Sequence, residues 1–97
     1  MESKKNPEEF YDKLKIQLEE TTSWPSEYLY KFIVITNETK IVQIHAIFDN
    51  MGAVISTKES KNGKYTSVSI NVRMKNPDSV IAKYKKVGKE IEGVISL

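Results

Sequence analysis

The chain has 97 residues, enough for one domain, of which 39% are hydrophobic and 29% charged, as in a soluble globular protein. Its formal net charge of +2 is too small to indicate a nucleic-acid surface on electrostatic grounds. The absence of cysteine excludes disulfides, thiol chemistry and cysteine-based zinc sites. No apolar run reaches the length of a membrane span, and the polar start lacks the apolar segment of a secretory signal. We therefore expect a cytoplasmic protein.

The first predicted element is a helix that begins at Asn6-Pro7, with Asn6 as the N-cap and Glu9 placed for a capping box. Its apolar stripe at helical spacing consists of Phe10, Tyr11, Leu14 and Leu18. Residues 21–26 end the helix, and we interpret Trp24 as packing at the edge of the core, with an exposed anchor for a partner as the alternative. Residues 1–25 thus form an N-terminal helix and linker. This helix could pack on the sheet edge, cover part of the open sheet face or bind a partner.

The run from Glu27 to Ile35 is rich in β-forming residues and contains no proline or glycine, which predicts a central strand. One of its two faces carries Tyr28, Tyr30, Phe32 and Val34. Asn37 can cap a second helix over residues 38–50, with Gly52 as the stop. The apolar face of that helix carries Ile41, Ile44, His45 and Phe48. His45, the lone histidine, is therefore interpreted as a packed or boundary residue.

Asn62-Gly63 lies between two alternating runs, residues 52–60 and 65–74. This dipeptide is the strongest short signal for a two-residue hairpin turn, in which both central residues have positive φ. With this tip, the predicted register pairs Thr57 with Val68, Ile55 with Ile70, and Ala53 with Val72, all on one buried face. The other face is shared by the pairs Lys58 and Ser67, Ser56 and Ser69, and Val54 and Asn71.

Asn76-Pro77-Asp78 predicts the start of a third helix, which Gly93 ends, and residues 94–97 form a short last strand. This helix is basic, which is typical of a solvated face or of a surface for an acidic partner. After the leading helix, the order strand, helix, strand, strand, helix, strand is the ferredoxin-like arrangement. We predict an α+β fold over residues 26–97: a four-stranded antiparallel sheet, its first and third strands central, with two helices on one face and an extra N-terminal helix.

The open face of this sheet is the candidate site for a ligand or a partner. Small hydroxyls beside an amide and cationic side chains can bind an anion or a polar ligand, although a solvated face has the same composition. The candidate residues are Lys31, Ser56, Lys58, Tyr65, Ser67, Ser69, Asn71 and Arg73. The apolar residues Leu29, Ile33 and Val54 share the face, which favours its being partly covered by the first helix, a second subunit or a ligand.

The sequence offers no recognisable catalytic, metal or cofactor site. It has no nucleophile elbow, phosphate-binding loop or dinucleotide fingerprint, and one histidine with scattered carboxylates does not make a metal site. An RNA-recognition motif would need aromatic residues on the open face of the central strands. Tyr65 is the one aromatic residue on the third strand, and the aromatic residues of the first strand are predicted to point inward. We therefore expect neither an enzyme nor a nucleic-acid-binding protein, and no cofactor.

The stretch from Ser60 to Ile70, with Gly63, Tyr65 and the Ser67-Val68-Ser69 run, resembles the YbeD-like bacterial family of unknown function. Trp24-Pro25, Tyr30-Lys31 and the final Val-Ile-Ser-Leu strand also fit, so the resemblance covers roughly residues 14–97. It implies a ferredoxin-like fold similar to that of ACT regulatory domains, and a regulatory role. The residues before Leu14 extend beyond the typical family member, which suggests that the first helix is an addition.

These observations predict a small non-catalytic regulatory domain that binds a small ligand. The alternative is an adaptor module that binds a protein through the open sheet face or a sheet edge. Its partner would be an enzyme or a second copy of this chain.

Overall fold

The computed structural model describes residues 7–96, and their fold is α+β. The helices are α1 (Pro7–Thr21), α2 (Glu38–Ile47) and α3 (Pro77–Glu90). The strands are β1 (Ser26–Ile35), β2 (Val54–Glu59), β3 (Tyr65–Met74) and β4 (Ile95–Ser96). After α1, the element order is the predicted ferredoxin-like one, which confirms the fold class.

The four strands form one antiparallel sheet in the order β2-β3-β1-β4. The prediction that the first and third strands are central is confirmed. All ten residues of β1 pair with β3, from Ser26 opposite Met74 to Ile35 opposite Tyr65. On its other side β1 pairs with β4 at two positions, Phe32 with Ser96 and Ile33 with Ile95.

The β2–β3 hairpin has the predicted register, with Ile55 opposite Ile70 and Thr57 opposite Val68. The predicted turn is wrong in detail, because the last hydrogen bond between the strands joins the Ser60 N–H to Tyr65 O at 2.7 Å and leaves four residues, 61–64, in the loop. Of these four, Gly63 alone has a positive φ, of 75°. The Gly63 N–H donates to Ser60 O at 2.8 Å, while the Asn62 Oδ1 accepts from the Lys64 N–H at 3.0 Å. The Asn62 side chain thus holds the loop, and the register is the one that a two-residue turn would give.

The hairpin residues predicted to be buried are less covered than expected. Thr57 is exposed, and Ala53 and Ile55 are half-buried. The reason is that β2 is an edge strand, with a neighbour on one side only. Within the sheet, the fully buried positions belong to the central strands β1 and β3.

The core lies between the sheet and the helices and is built around aromatic rings. Tyr30 and Phe32 are both fully buried, and their ring centroids are 5.7 Å apart in a stacked arrangement. Phe48 and Tyr84 bring further rings from α2 and α3 to within 5.0 Å and 4.9 Å of the Tyr30 centroid. The Tyr30 hydroxyl donates to Val80 O at 2.9 Å, so its polar atom is satisfied inside the core.

The ends of α2 and α3 differ from the predicted ones. Asn37 caps α2 as predicted, but α2 ends at Ile47 and not near residue 50. Asn76 and Ser79 form a reciprocal capping box at the start of α3, which ends at Glu90. Gly93, the predicted stop, lies in the following turn with a φ of 77°. The predicted N-cap Asn6 and the last predicted strand residue, Leu97, lie outside the described residues.

His45 does not lie in the core, contrary to the prediction from the α2 stripe. The helix buries Ile44 and Ile47, followed by Phe48 at its C-cap. Ile44, Ile47 and Phe48 are three and four residues apart and therefore lie on one side of the helix. Each residue of an α-helix is rotated by about 100° from the one before it, so the residue after Ile44 points away from this buried side. His45 is exposed as a result.

Helix α1 packs beside α3 and not on the open face of the sheet. Its half-buried residues Tyr11, Leu14 and Leu18 contact the core cluster. Ion pairs hold its exposed side, with Lys15 Nζ at 3.0 Å from Asp78 and Lys85 Nζ at 3.2 Å from Glu8. Part of the basic surface of α3 is therefore covered by this chain's own helix.

Trp24 follows α1 and packs against the core cluster, as its interpretation as a core-edge residue predicted. Its indole N–H donates to Leu18 O at 3.1 Å. This bond satisfies one of the carbonyl groups left free near the end of the helix.

Two glycines allow a matched test of this backbone. Gly63→Ala forces a side chain into a left-handed conformation and should destabilise the fold by about 1 kcal/mol. Gly88→Ala lies inside α3, where an added Cβ meets nothing within 4 Å, and should stabilise by up to about 1 kcal/mol. Urea unfolding of both variants measures the two effects. A Gly63→Ala protein as stable as the wild type would contradict the loop conformation.

Candidate functional site

The open face of the sheet, opposite the helices, is the first candidate site. The strand registers place every predicted candidate side chain on it. These residues are Lys31, Ser56, Lys58, Tyr65, Ser67, Ser69, Asn71 and Arg73. They lie there because side chains alternate along each strand, and the other set of positions faces the core.

Three of these residues form a row across the middle of the sheet. Ser69 on β3 is opposite Ser56 on β2 and opposite Lys31 on β1. We call Ser56, Ser69 and Lys31 the polar row. Neighbouring strands are about 4.8 Å apart, so the row spans roughly 10 Å. The next row toward the hairpin contains Lys58 and Ser67, and therefore adds a second ammonium group and a third hydroxyl.

The face has an excess of positive charge. Among the described sheet residues it carries three cations, Lys31, Lys58 and Arg73, and one carboxylate, that of Glu27, which is opposite Arg73. Within the described part of the chain, no hydrogen bond or ion pair involves the side chains of the three cations. The Ser67 hydroxyl makes a long contact of 3.4 Å with Lys58 O. Among the described residues, the side chains of Ser56, Ser69 and Lys31 make no hydrogen bond, so the polar row can donate hydrogen bonds to a ligand.

The structure does not bring all the predicted residues together. A cavity of about 200 Å³ joins Lys58, Tyr65 and Ser67 with Ile33 beside the hairpin. Arg73 lies four residues beyond Ser69 on the same strand, which is roughly 13 Å away at strand spacing. Asn71 lies between them. Arg73 is therefore separate from the polar row, and also from the cavity, which the neighbouring row of Lys58, Ser67 and Ile33 lines.

The same face also carries exposed apolar side chains. Leu29 and Val54 are exposed, at 59% and 71%, as predicted, whereas Ile33 is half-buried. Ile35 and Ile95, exposed at 57% and 52%, were not among the predicted residues. The alternation of β1 could have identified Ile35. Ile95 lies in the predicted last strand, of which the structure describes Ile95–Ser96, and two residues are too few for alternation to show which side chain faces outward.

Other cavities lie away from the open face, and two of them are lined by more than one element. One of about 390 Å³ lies between α2 and β2 and includes the exposed His45. The other, of about 230 Å³, is an aromatic cleft beneath α1, lined by Phe10, Tyr11, Leu14, Tyr28, Tyr84 and Ser96. The sequence pattern showed the α1 stripe but not what it would contact.

Four residues of the aromatic cleft carry hydroxyls, and those of Tyr28 and Tyr84 are 2.8 Å apart and hydrogen-bonded. Burial, and then the bond to Tyr28, raise the pKa of the Tyr84 phenol far above its ordinary value. The Tyr84 phenol is therefore neutral at physiological pH. The cleft is apolar on its walls and can exchange a hydrogen bond at the Tyr28–Tyr84 pair.

Within residues 7–96, no group of three or more His, Cys, Asp or Glu side chains is arranged to hold a metal ion. In the same part of the chain, no helix has the length and apolar character needed to cross a membrane.

Comparisons with known proteins identify a family but no characterised relative. No curated protein and no solved structure matches the chain. The model of the family DUF493, described as a protein of unknown function, matches residues 19–96. The match runs from the end of α1 to β4 and includes the whole sheet, so most of α1 lies before it. Because the match covers most of its length, the chain belongs to the DUF493 family.

Proposed function

We propose that this chain is a non-catalytic regulatory domain of the cytoplasm that binds a small anionic metabolite on the open face of its sheet. The observation that carries the proposal is the polar row, Ser56, Ser69 and Lys31, with Lys58 beside it. These groups are hydrogen-bond donors and have no partner among the described residues.

The chemistry of the row favours a carboxylate or a phosphate. Hydroxyl and ammonium donors form charge-assisted hydrogen bonds with anionic oxygens, which are about twice as strong as neutral ones. By strand register the face carries one carboxylate, that of Glu27, which lies opposite Arg73 at the far end. Glu59 lines the cavity beside Lys58, three residues along β2 from the position opposite Ser69. An anion over Ser69 would therefore meet little repulsion.

The neighbouring side chains favour a ligand with an apolar part. Ile33 lines the cavity beside Lys58, and Leu29 is exposed on the other side of Lys31. An aliphatic or aromatic substituent could cover these residues, while the anionic group binds the row. The expected ligand class is thus a small carboxylic acid or phosphate ester with an apolar substituent.

The resemblance to the YbeD-like family and, through its fold, to ACT domains supports a regulatory role. Fold similarity alone does not define function, so the ligand argument depends on the residues of the row. The residues present also favour binding over catalysis, because no nucleophile with an oriented base accompanies the anion-binding groups.

The proposal is tested by thermal-shift screening against amino acids, short organic acids and phosphorylated metabolites, followed by calorimetry on any ligand found. At one hundred times its Kd, a ligand should stabilise the fold by about 2.7 kcal/mol. Lys31→Ala should raise the Kd about tenfold, because it removes a charged hydrogen bond. Lys13→Ala, which removes the same charge from an exposed position on α1, serves as the control.

Equal affinity in the wild type and Lys31→Ala would place the ligand elsewhere. If no compound in the three classes shifts the melting temperature, the metabolite proposal fails.

A further inference from the structure

In the part of the chain that the structure describes, β4 covers only part of one edge of β1. β4 pairs with Phe32 and Ile33. Among the described residues, no strand lies beside Ser26–Tyr30 on that side. We call the edge of Ser26–Tyr30 that faces away from β3 the free edge. A half-paired central strand is a template for strand addition, because its backbone groups point to an unoccupied position.

The direction of the backbone groups follows from the hydrogen bonds at the end of β1. The Thr36 N–H donates to Lys64 O at 2.8 Å, so residue 36 points toward β3. In an antiparallel ladder the direction alternates from one residue to the next. Glu27 and Leu29 therefore point their N–H and C=O groups to the free edge. In the described part of the chain, the one contact to these groups is that of Ser26 Oγ with Glu27 O, at 3.4 Å.

The aromatic cleft lies next to the free edge, on the helical side. Two of the residues that line the cleft show this position: Tyr28 is part of the free edge, and Ser96 is the last described residue of β4. Phe10 of α1 is another lining residue and is 55% exposed, so part of the cleft wall is uncovered. The cleft can thus receive one large apolar side chain from a strand that continues the line of β4.

We propose that the free edge binds an extended peptide of a partner protein as a fifth strand, antiparallel to β1. This inference goes beyond the anion site, because it uses a different surface and a different class of ligand. Such strand addition obtains affinity from main-chain hydrogen bonds and specificity from alternate side chains. Here the main-chain partners are Glu27 and Leu29.

The register of β1 defines the peptide. The residue opposite Tyr28 points to the helical side and should be large and apolar, since the cleft lies there. The residue opposite Leu29 lies on the open face beside an exposed leucine and should be β-branched. The residue opposite Glu27 should be basic. In peptide order, the motif is a small residue opposite Tyr30, then a β-branched, a large apolar and a basic residue.

The position of α1 favours a peptide over a second copy of this chain. Helix α1 forms one wall of the cleft, so an incoming strand finds a helix already placed on its inner side. The edge strand of a second copy would bring the helical layer of its own domain to that position. Those helices would compete with α1 for the same space.

The test uses a capped, fluorescein-labelled peptide, Gly-Ser-Thr-Val-Phe-Lys-Ser-Gly, and fluorescence polarisation. Two control peptides carry Ser in place of Phe or Glu in place of Lys. We expect the Ser peptide to bind about tenfold more weakly, because the buried aromatic ring is lost. Nitrogen-15 NMR should show the amides of Glu27 and Leu29 shifting and gaining protection from hydrogen exchange.

A matched pair of α1 variants completes the test. Phe10→Ala should raise the Kd of the Phe peptide severalfold, because it removes part of the cleft wall. Ile16→Ala truncates a side chain that is 53% exposed on the same helix but does not line the cleft, and should leave the Kd unchanged.

The inference is overturned if the peptide does not bind at millimolar concentration or if the Ser peptide binds equally well. Shifts confined to β2 or to the polar row would also overturn it. None of these three results tests the anion proposal, which is tested by the affinity of the Lys31→Ala variant for the anionic ligand.

Discussion

Replacing Phe32 by alanine is expected to lower the free energy of unfolding by about 3–5 kcal/mol. Phe32 is fully buried, and its ring lies 6.0 Å from that of Tyr84 and 6.4 Å from that of Phe48. Removing the Phe32 ring leaves a cavity where α2 and α3 pack against β1. A small domain has about 5–15 kcal/mol of stability in total, so a large share would be lost.

The melting temperature of the Phe32→Ala protein should fall by roughly 15–30 °C, and urea unfolding should give the change in free energy. Leu29→Ala is the matched control, since Leu29 lies on the same strand but is 59% exposed on the opposite face. Its cost should stay below about 1 kcal/mol in the absence of ligand. Comparable losses in the two variants would contradict the assignment of the faces.

The two faces of the sheet could be predicted because they depend on local pattern. Side chains alternate along a strand, so the apolar positions of β1 identify its inner face without knowledge of its neighbours. The Asn62-Gly63 loop then fixed which residues of β2 and β3 pair. The loop proved longer than a two-residue turn, yet the pairing was unchanged, because the extra residues are distributed evenly about the same centre.

Burial at the edges could not be predicted from the same pattern. Thr57 has the alternation of an inner residue but lies on an edge strand, and is exposed. His45 lies within an apolar stretch of α2, but the contacts of Ile44 and Phe48 decide how the helix is rotated. Both outcomes depend on neighbours that are remote in sequence, and periodicity contains no information about them.

The position of α1 depends on such remote contacts. Lys85 on α3 contacts Glu8, which is 77 residues away in sequence. The aromatic cleft exists only because α1 docks there, so no local motif could have predicted it. The polar row could be predicted, because it depends only on the strand faces and the hairpin register. The separation of Arg73 from that row follows from the length of β3.

Raising the pH above 10 is expected to destabilise the protein through two buried tyrosines. The loss of hydration on burial is the main reason that the pKa values of Tyr30 and Tyr84 lie far above the ordinary value. The Tyr84 hydroxyl is also hydrogen-bonded to Tyr28, which raises its pKa further. In the unfolded chain both phenols should ionise near pH 10.

The sign of the effect follows from proton binding. Above pH 10 the unfolded chain loses protons that the folded protein retains, so the folded state binds more protons and its stability falls as the pH rises. Below pH 10 the two phenols are protonated in both states and contribute no slope. Each tyrosine should contribute a loss of about 1.4 kcal/mol between pH 9 and pH 11, or about 2.7 kcal/mol for the pair.

Urea unfolding at pH 9 and pH 11 measures this loss, and Tyr84→Phe provides the control. The variant lacks one of the two phenols, so its loss between the two pH values should be smaller by about 1.4 kcal/mol. Lysine residues also titrate in this range, but they are shared by both proteins and cancel in the comparison. If the stability of the two proteins depended on pH in the same way, Tyr84 would have to ionise equally in the folded and unfolded states. That result would contradict the burial of Tyr84 against Tyr30 and α1.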